Sequence, residues 1–261
     1  MLDLNAVLIA FGAMVALALL GWLGSIVRKD VSVVDSLWSL FFLVGTVVYA
    51  RVVLASPDDA RTVLVILLVT VWALRLSVYL TWRNWGEPED RRYAAMRASR
   101  GPSFVWRSVS VVFLLQAVLA GVIALPLFAG VSEFSPLGVW DYAGATLWVV
   151  GFTFEAIGDW QLARFKAEPS NKGRVLDSGL WRYTRHPNYF GEATLWWGYY
   201  LIAVGAGGAW TVFAPLLMTL LLLKVSGVSL LERDIHERRP AYRLYVQRTN
   251  AFVPWIPRRD A

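Results

Sequence analysis

Hydrophobic positions fall into seven runs that polar residues seldom interrupt: Leu4 to Val27, Val33 to Val53, Val63 to Trp82, Val109 to Gly130, Leu137 to Gly158, Tyr189 to Gly205 and Trp210 to Leu231. A helix rises 1.5 Å per residue, so about 20 residues cross an apolar core of about 30 Å. Each run therefore predicts one span, the sixth being the shortest. Ala206, Gly207, Gly208 and Ala209 alone separate the sixth run from the seventh, which predicts a tight helical hairpin. A soluble chain would instead break its apolar stretches into short amphipathic pieces. The expected fold class is all-α: a seven-transmembrane helix bundle forming a single membrane domain over 1–261. No internal repeat of 20 to 50 residues divides it.

The positive charges give this bundle a direction. With the N-terminus outside, alternating loops place twenty-one Lys and Arg residues on the cytoplasmic side, grouped at Arg28–Lys29, Arg83–Arg107, Arg164–Arg185 and after Glu232. The opposite side holds Arg51, at the end of the second run, and Arg61, and Arg75 and Lys224 fall within runs. Cytoplasmic loops carry such an excess of cations, and an even number of spans would destroy the separation. The C-terminus is thus cytoplasmic, and loops 83–107 and 159–188 with the tail 232–261 form one cation-rich side. Met1 to Asn5 carries only Asp3 as a charge and the first apolar run is long, so it reads as a retained span rather than a secretory signal.

Composition agrees and removes several function classes. Hydrophobic residues make up 57% of the chain and charged residues 17%, against about 25% charged in soluble domains. There is no cysteine, hence no disulfide framework, thiolate metal site or cysteine nucleophile, and no metal site is expected. The net charge of +6 belongs with cytoplasmic loops facing an anionic leaflet, not with nucleic acid, since no nucleic-acid motif accompanies it.

Polar residues carried into apolar runs point to chemistry, because a central charge costs about 2.5 to 3.5 kcal/mol on insertion scales. Asp35, Arg75, Glu155, Asp159, Glu192 and Lys224 lie in the runs or at their edges. Glu155 and Asp159 stand four residues apart on one helical face, where like charges repel unless cations or donors meet them. Arg164 and Lys166 follow. Trp196 and Trp197 fall inside the sixth run, where core packing and pocket lining both remain open. The densest stretch is Gly179-Leu-Trp-Arg-Tyr-Thr-Arg-His-Pro-Asn-Tyr-Phe-Gly-Glu192. Arg182, Arg185 and His186 can meet phosphate oxygens, and Pro187 suits the first turn of a helix whose free N–H groups favour an anion. Asn188 and Glu192 share a helical face beyond it.

The stretch from Asp159 to Glu192 resembles the cofactor region of the membrane steroid 5α-reductase family, particularly its bacterial branch. Asp159, Arg164, Lys166, Gly179-Leu180, Tyr183, Asn188, Gly191 and Glu192 carry the likeness, with a Tyr-rich tail containing Tyr242 and Tyr245. Val34-Asp35-Ser36-Leu37-Trp38, Trp72-Ala73-Leu74-Arg75 and Glu89-Asp90-Arg91-Arg92-Tyr93 are similar to further signatures of that branch. The resemblance implies an oxidoreductase acting on CH–CH groups, with NADPH held by Asp159, Arg164, Lys166, Arg182, Tyr183, Arg185, His186, Asn188, Glu192, Tyr242 and Tyr245. Its substrate is a lipophilic small molecule bearing an activated C=C bond, which enters from the membrane lipids of a bacterial inner membrane. No obligate protein partner is implied. Glu155, Tyr79, Tyr183 and Glu192 are the candidate catalytic residues. The Gln-Glu pair and the third-span Tyr of the animal steroid reductases are missing; Trp72 takes the matching third-span position. Isoprenylcysteine and phospholipid methyltransferases also use Arg-His-Pro-x-Tyr-x-Gly to hold S-adenosylmethionine, although Glu232-Arg233 replaces their paired Glu residues. A non-catalytic scaffold or small transporter is the third class.

The charge asymmetry makes a direct prediction. Accessibility labelling of intact vesicles should find positions in 83–107, 164–185 and the C-terminus all on the cytoplasmic face. Labelling Asp58 and Gly173 from the same face would overturn the seven-span arrangement.

Overall fold

A computed structural model describes residues 2–53, 59–132, 136–225, 227–232, 235 and 239–258. Asp58 and Arg233 lie outside the described residues. Among the described residues the chain is helical, with no strand. It divides into two compact units: 1–138 with 203–211, and 139–202 with 212–261.

In the first unit, three long helices open the chain: α1 (Leu4–Arg28), α2 (Val33–Val53) and α3 (Ala60–Asn84). The side chains of Asp3 and Asp59 cap α1 and α3 by accepting from Ala6 N (3.1 Å) and Thr62 N (2.9 Å), meeting N–H groups that the helix leaves without partners. A fourth helical run covers Arg91–Gly130. It comprises α4 (Arg91–Arg100), α5 (Phe104–Ser108), a π-helical stretch at Val109–Leu114, α6 (Leu115–Ile123) and α7 (Leu125–Gly130). Pro126 sits at the start of α7, where its missing N–H does least harm. These four segments are long and apolar enough to cross a membrane. Their apolar side chains also point outward: Val78 is 66% and Leu20 66% exposed. An exposed surface of that kind is unfavourable in water and matched by lipid, so the unit fits an integral membrane protein.

Helix α2 lies at the centre of this unit, packed against α1, α3, α6 and α7. Phe41, Phe42, Trp72 and Phe113 are fully enclosed there. At one end Tyr49 stacks on Phe128 at 4.6 Å and bonds Ser132 Oγ at 2.6 Å. Ser132 spends its single hydroxyl hydrogen on Phe128 O (2.7 Å), so Tyr49 must be the donor. At the other end two sequence signatures meet. Asp35 accepts from Tyr93 OH (2.8 Å) and Arg92 Nη2 (2.9 Å), while Glu89 accepts from Arg97 Nε (2.8 Å) and Val31 N (2.9 Å). The Arg97 guanidinium holds the Glu89 carboxyl below its ordinary value. Asp35 is therefore paired by residues 57 and 58 positions away, which removes the need to reach the interface for its charge.

The second unit contains α8 (Val139–Ala167), most of α9 (Pro187–Gly205), α10 (Phe213–Leu220), α11 (Val228–Glu232) and α12 (Tyr242–Arg248). The fifth and sixth apolar runs of the sequence appear as α8 and α9, yet neither is among the four strongly apolar segments. Asp141, Glu155 and Asp159 lower the apolarity of α8, as Asn188 and Glu192 lower that of α9. The seventh run is a 17-residue apolar helix, Ala209–Val225, ending in a π-helical stretch from Leu221.

Glycines set the distance between α8 and α9. Gly144, Gly151 and Gly158 on α8, and Gly191 and Gly198 on α9, recur every seven residues. A Cβ on Gly144 would lie 2.6 Å from Gly198 O, one on Gly151 2.6 Å from Gly191 O, and one on Gly158 3.1 Å from Asn188 N. Position falls along one helix as it rises along the other, so the two run antiparallel with backbones in contact. Small residues allow this approach. Above the seam, Trp196 is fully buried and packs 5.3 Å from Tyr199, which makes it a core residue, whereas Trp197 is half-buried beside Tyr200 at 5.8 Å.

Gly151→Leu or Gly191→Leu should lower the thermal unfolding midpoint sharply, since overpacking costs about 1 to 3 kcal/mol or more and the opposing atoms here are backbone. Gly12→Leu, with nothing within 4 Å of its added Cβ, should leave it nearly unchanged. Unfolding in detergent followed by tryptophan fluorescence checks both.

Candidate functional site

The glycine seam brings three buried carboxyl side chains and the half-buried Asn188 together in the second unit. Glu155, Asp159 and Glu192 are 2%, 5% and 8% exposed. Glu155 lies on α8 where its backbone abuts Gly191, the neighbour of Glu192. One turn along, Asn188 Nδ2 donates to Asp159 Oδ1 at 3.1 Å. A carboxylate only accepts, which fixes which end of the amide faces Asp159. Asn188 Oδ1 is then left buried with no hydrogen-bond partner among the described residues. A buried acceptor without a donor is costly, so this oxygen marks a place where a ligand's N–H or O–H fits.

The loop leading to α9 is fastened to α8. Gly179 has φ +60°, which glycine adopts without a Cβ penalty; a Cβ there would also strike the Gln161 side chain. Gln161 Oε1 accepts from Leu180 N at 3.0 Å, and Trp181 Nε1 donates to Gly158 O at 3.1 Å. Because Gly158 presses on Pro187 and Asn188 N, the first turn of α9 meets a helix backbone on that side, which narrows the room for an anion at its N–H groups.

The C-terminal segment is laced to the same loop. Thr184 Oγ1 donates to Phe252 O (2.7 Å), Arg185 N to Asn250 O (2.9 Å), Trp255 N to Tyr183 O (2.9 Å) and Tyr245 OH to Trp181 O. Glu232 gathers the rest. Its Oε1 accepts from Arg185 Nε (2.7 Å), His186 Nε2 (3.0 Å) and Tyr242 OH (3.0 Å), and its Oε2 accepts from Arg185 Nη2 (2.8 Å). Burial pushes the Glu232 carboxyl up, but the His186 and Arg185 hydrogen bonds and the Arg185 charge outweigh it and bring the pKa down to about 2. Burial and the adjacent Glu232 charge raise the Tyr242 phenol above its ordinary value, so it remains a donor.

The residues proposed from sequence thus separate into groups. Glu155, Asp159, Asn188 and Glu192 cluster inside the unit. Arg164, Lys166, Arg182 and Tyr183 are exposed at its surface, with Arg164 over the Trp160 ring at 5.5 Å. Arg185, His186, Tyr242 and Tyr245 are buried in the lacing of the C-terminal segment. Tyr79 belongs to the first unit, on α3, 6.2 Å from Trp82 and beneath Arg83 at 5.9 Å. Sequence reasoning missed Glu232, Thr184 and Gln161. The seven-residue spacing of Gly144, Gly151, Gly158, Gly191 and Gly198 is the local signal that could have pointed toward the seam.

Folding depresses the Glu232 pKa from 4.5 to about 2. Its contribution to stability is therefore complete above about pH 4.5 and is lost as pH falls toward 2. Glu232→Gln should be less stable than the parent at pH 7, and the gap should close between pH 4.5 and 2. Parallel thermal denaturation of both proteins across that range provides the check.

Comparison with known proteins identifies relatives without an assigned role. An uncharacterized protein of Schizosaccharomyces pombe is 28% identical over 269 residues, an alignment covering 89% of this chain and 75% of the yeast protein. No solved structure matches. A family model described as a protein of unknown function, DUF1295, matches residues 21–249, a range that contains every candidate residue above. The chain belongs to the DUF1295 family.

Proposed function

We propose that the protein is a membrane-embedded NADPH-dependent reductase that saturates an activated C=C bond in a lipophilic, steroid-like or enone or acyl-lipid substrate. The observation that carries the reading is the Asn188–Asp159 pair with its buried, unpartnered Asn188 Oδ1, set one turn from Glu155 and Glu192. A nicotinamide carboxamide offers the N–H that this oxygen lacks. The resemblance of residues 159–192 to the steroid 5α-reductase family supports the same assignment. In the topology that belongs with this proposal the chain crosses the membrane seven times, its N-terminus lies outside, and Arg164, Lys166 and Arg182 face the cytoplasm to meet the nucleotide phosphates.

Bound NADPH would supply a hydride to the β-carbon of the unsaturated substrate. The chain's own tasks are to stabilise the developing enolate oxygen and to deliver a proton to the α-carbon. Glu155, buried on α8, is the candidate donor for that oxygen as the neutral carboxylic acid, since only the protonated form has an O–H to give. Tyr183 is 43% exposed and suits the nucleotide side better than the reacting carbon. Asn188 and Glu192 orient the carboxamide, and the glycine seam keeps water from the pair.

A second reading, methyl transfer from S-adenosylmethionine, draws on a specific feature of the same site. Glu155, Asp159 and Glu192 are three buried carboxylates, and the ammonium and sulfonium groups of that cofactor would pair with them.

Nucleotide titration in nanodiscs separates these readings: NADPH should bind more tightly than NADH, because cations meet its 2′-phosphate, and S-adenosylmethionine should bind weakly. Asn188→Ala and Glu192→Gln should each reduce turnover about 5- to 150-fold at saturating NADPH, for about 1 to 3 kcal/mol per lost buried hydrogen bond. Arg182→Ala should weaken NADPH binding and recover at saturation. Tight binding of S-adenosylmethionine without NADPH would transfer the site to the second reading, and full turnover in both stable variants would remove Asn188 and Glu192 from it.

A further inference from the structure

Arg185 and His186 carry the strongest phosphate-binding suggestion in the sequence, but their polar atoms are directed inward. Arg185 places Nε and Nη2 on the two oxygens of Glu232, and donates from Nη1 to Thr249 O at 2.5 Å and to Val246 O at 3.3 Å. All three of its nitrogens are therefore engaged, and a ligand phosphate could recruit this guanidinium only by detaching the C-terminal segment. The His186 side chain is 5% exposed and lies parallel to the Tyr189 ring, with 5.6 Å between centroids and 9° between planes. Its Nε2 meets Glu232 Oε1 at 3.0 Å.

The chemistry of that last contact fixes a proton. Glu232 is ionised under ordinary conditions, and an ionised carboxylate has no hydrogen to give. The hydrogen between Nε2 and Oε1 must therefore sit on Nε2. In the neutral ring this leaves one lone pair, on Nδ1, and outer partners of this kind set the tautomer and orientation of functional histidines.

We propose that Glu232 is the positioning residue of this site: it locks Arg185 and His186 into the scaffold, holds the His186 ring as an Nε2–H donor, and leaves Nδ1 as its acceptor. Recognition of nucleotide phosphates then passes to the exposed cations Arg164, Lys166 and Arg182, a consequence that rests on the nucleotide reading above. The role of Glu232 itself does not depend on that reading.

The chain has two histidines, so a His236→Gln background with histidine-selective ¹⁵N labelling isolates His186. Magic-angle-spinning spectra of this protein in lipid, without nucleotide, should show a single ring state with Nε2 protonated and its proton strongly downfield and slow to exchange. Tyr242→Phe, which removes one donor and keeps the carboxylate, should preserve that signature. Glu232→Gln should abolish the downfield proton and mix the two tautomers, and Glu232→Asp should restore it in part. A wild-type ring protonated on Nδ1 alone, or a Glu232→Gln spectrum like the parent's, overturns the proposal. If Glu232→Gln does not fold, the parent and Tyr242→Phe spectra still decide it. In parallel, Arg182→Ala should weaken NADPH binding about tenfold, in keeping with one charge-assisted contact, and leave the His186 signature unchanged. No NADPH binding by the parent would remove the nucleotide reading and the phosphate consequence together, while the histidine spectra would still rule on Glu232.

Discussion

Direct backbone contact between α8 and α9 is the constraint on which the candidate site depends. Two helices that touch through ordinary side chains keep their axes about 8 to 10 Å apart, and polar groups between them can be met by water or filled by apolar neighbours. At Gly151 and Gly191 nothing intervenes, and the carbonyl of one helix lies where the other's Cβ would be. Side chains adjacent to the seam are forced together, and Asp159 and Asn188 find each other at hydrogen-bond distance. The same contact shuts out solvent around Glu155 and Glu192. Glycine in a helix costs about 1 kcal/mol relative to alanine, so five of them at seven-residue intervals represent a sacrifice of helix stability for proximity.

That proximity also explains why the loop before α9 needs external support. Four N–H groups at a helix start have no partner within the helix, and here the first turn is held against Gly158 rather than capped in open solvent. The chain supplies the missing order from elsewhere. Gln161 and the Gly158 carbonyl hold the loop from α8, while Thr184, Arg185 and the Tyr183 carbonyl bind the segment 249–255. Glu232 adds to the second arrangement by accepting from Arg185 and His186 of the loop and from Tyr242 of the C-terminal segment. A carboxylate with four donors is well compensated for its burial, and removing it would strand a buried guanidinium, which is typically far more damaging than never having had the pair.

The sequence disclosed these features unevenly. The apolar runs marked α1 and α2 to within a residue and α3 to within three residues at its start and two at its end, because each run is long and carries few charges. Arg91–Gly130 was harder: its amphipathic α4 and its π-helical stretch do not share one apolar pattern, and the span seen in the sequence began only at Val109. Within the site, Glu155 with Asp159 and Asn188 with Glu192 could be placed on common faces by their spacing of four. Which face met which was not legible, since register between helices is set by the glycines, whose lack of a side chain carries no chemical label. Glu232 was still less visible. It pairs with residues 46 and 47 positions earlier, and one acid among several in a stretch of alternating charges looks like any solvated acid.

Arg185 shows why residue type alone is a weak guide to role. Arginine near a helix start suggests anion binding, and the free loop could have used it so. Once the chain folds, however, a fixed carboxylate competes for the same guanidinium at a high effective concentration and without the translational cost that a diffusing phosphate must meet. The bidentate geometry to Glu232 and the two carbonyls on Nη1 complete that competition within the chain. Arg182, three residues earlier, has the same chemistry but remains exposed, so its charge stays available to whatever anion approaches. The distinction between a structural and a ligand-binding arginine here follows from which of them the C-terminal segment reaches.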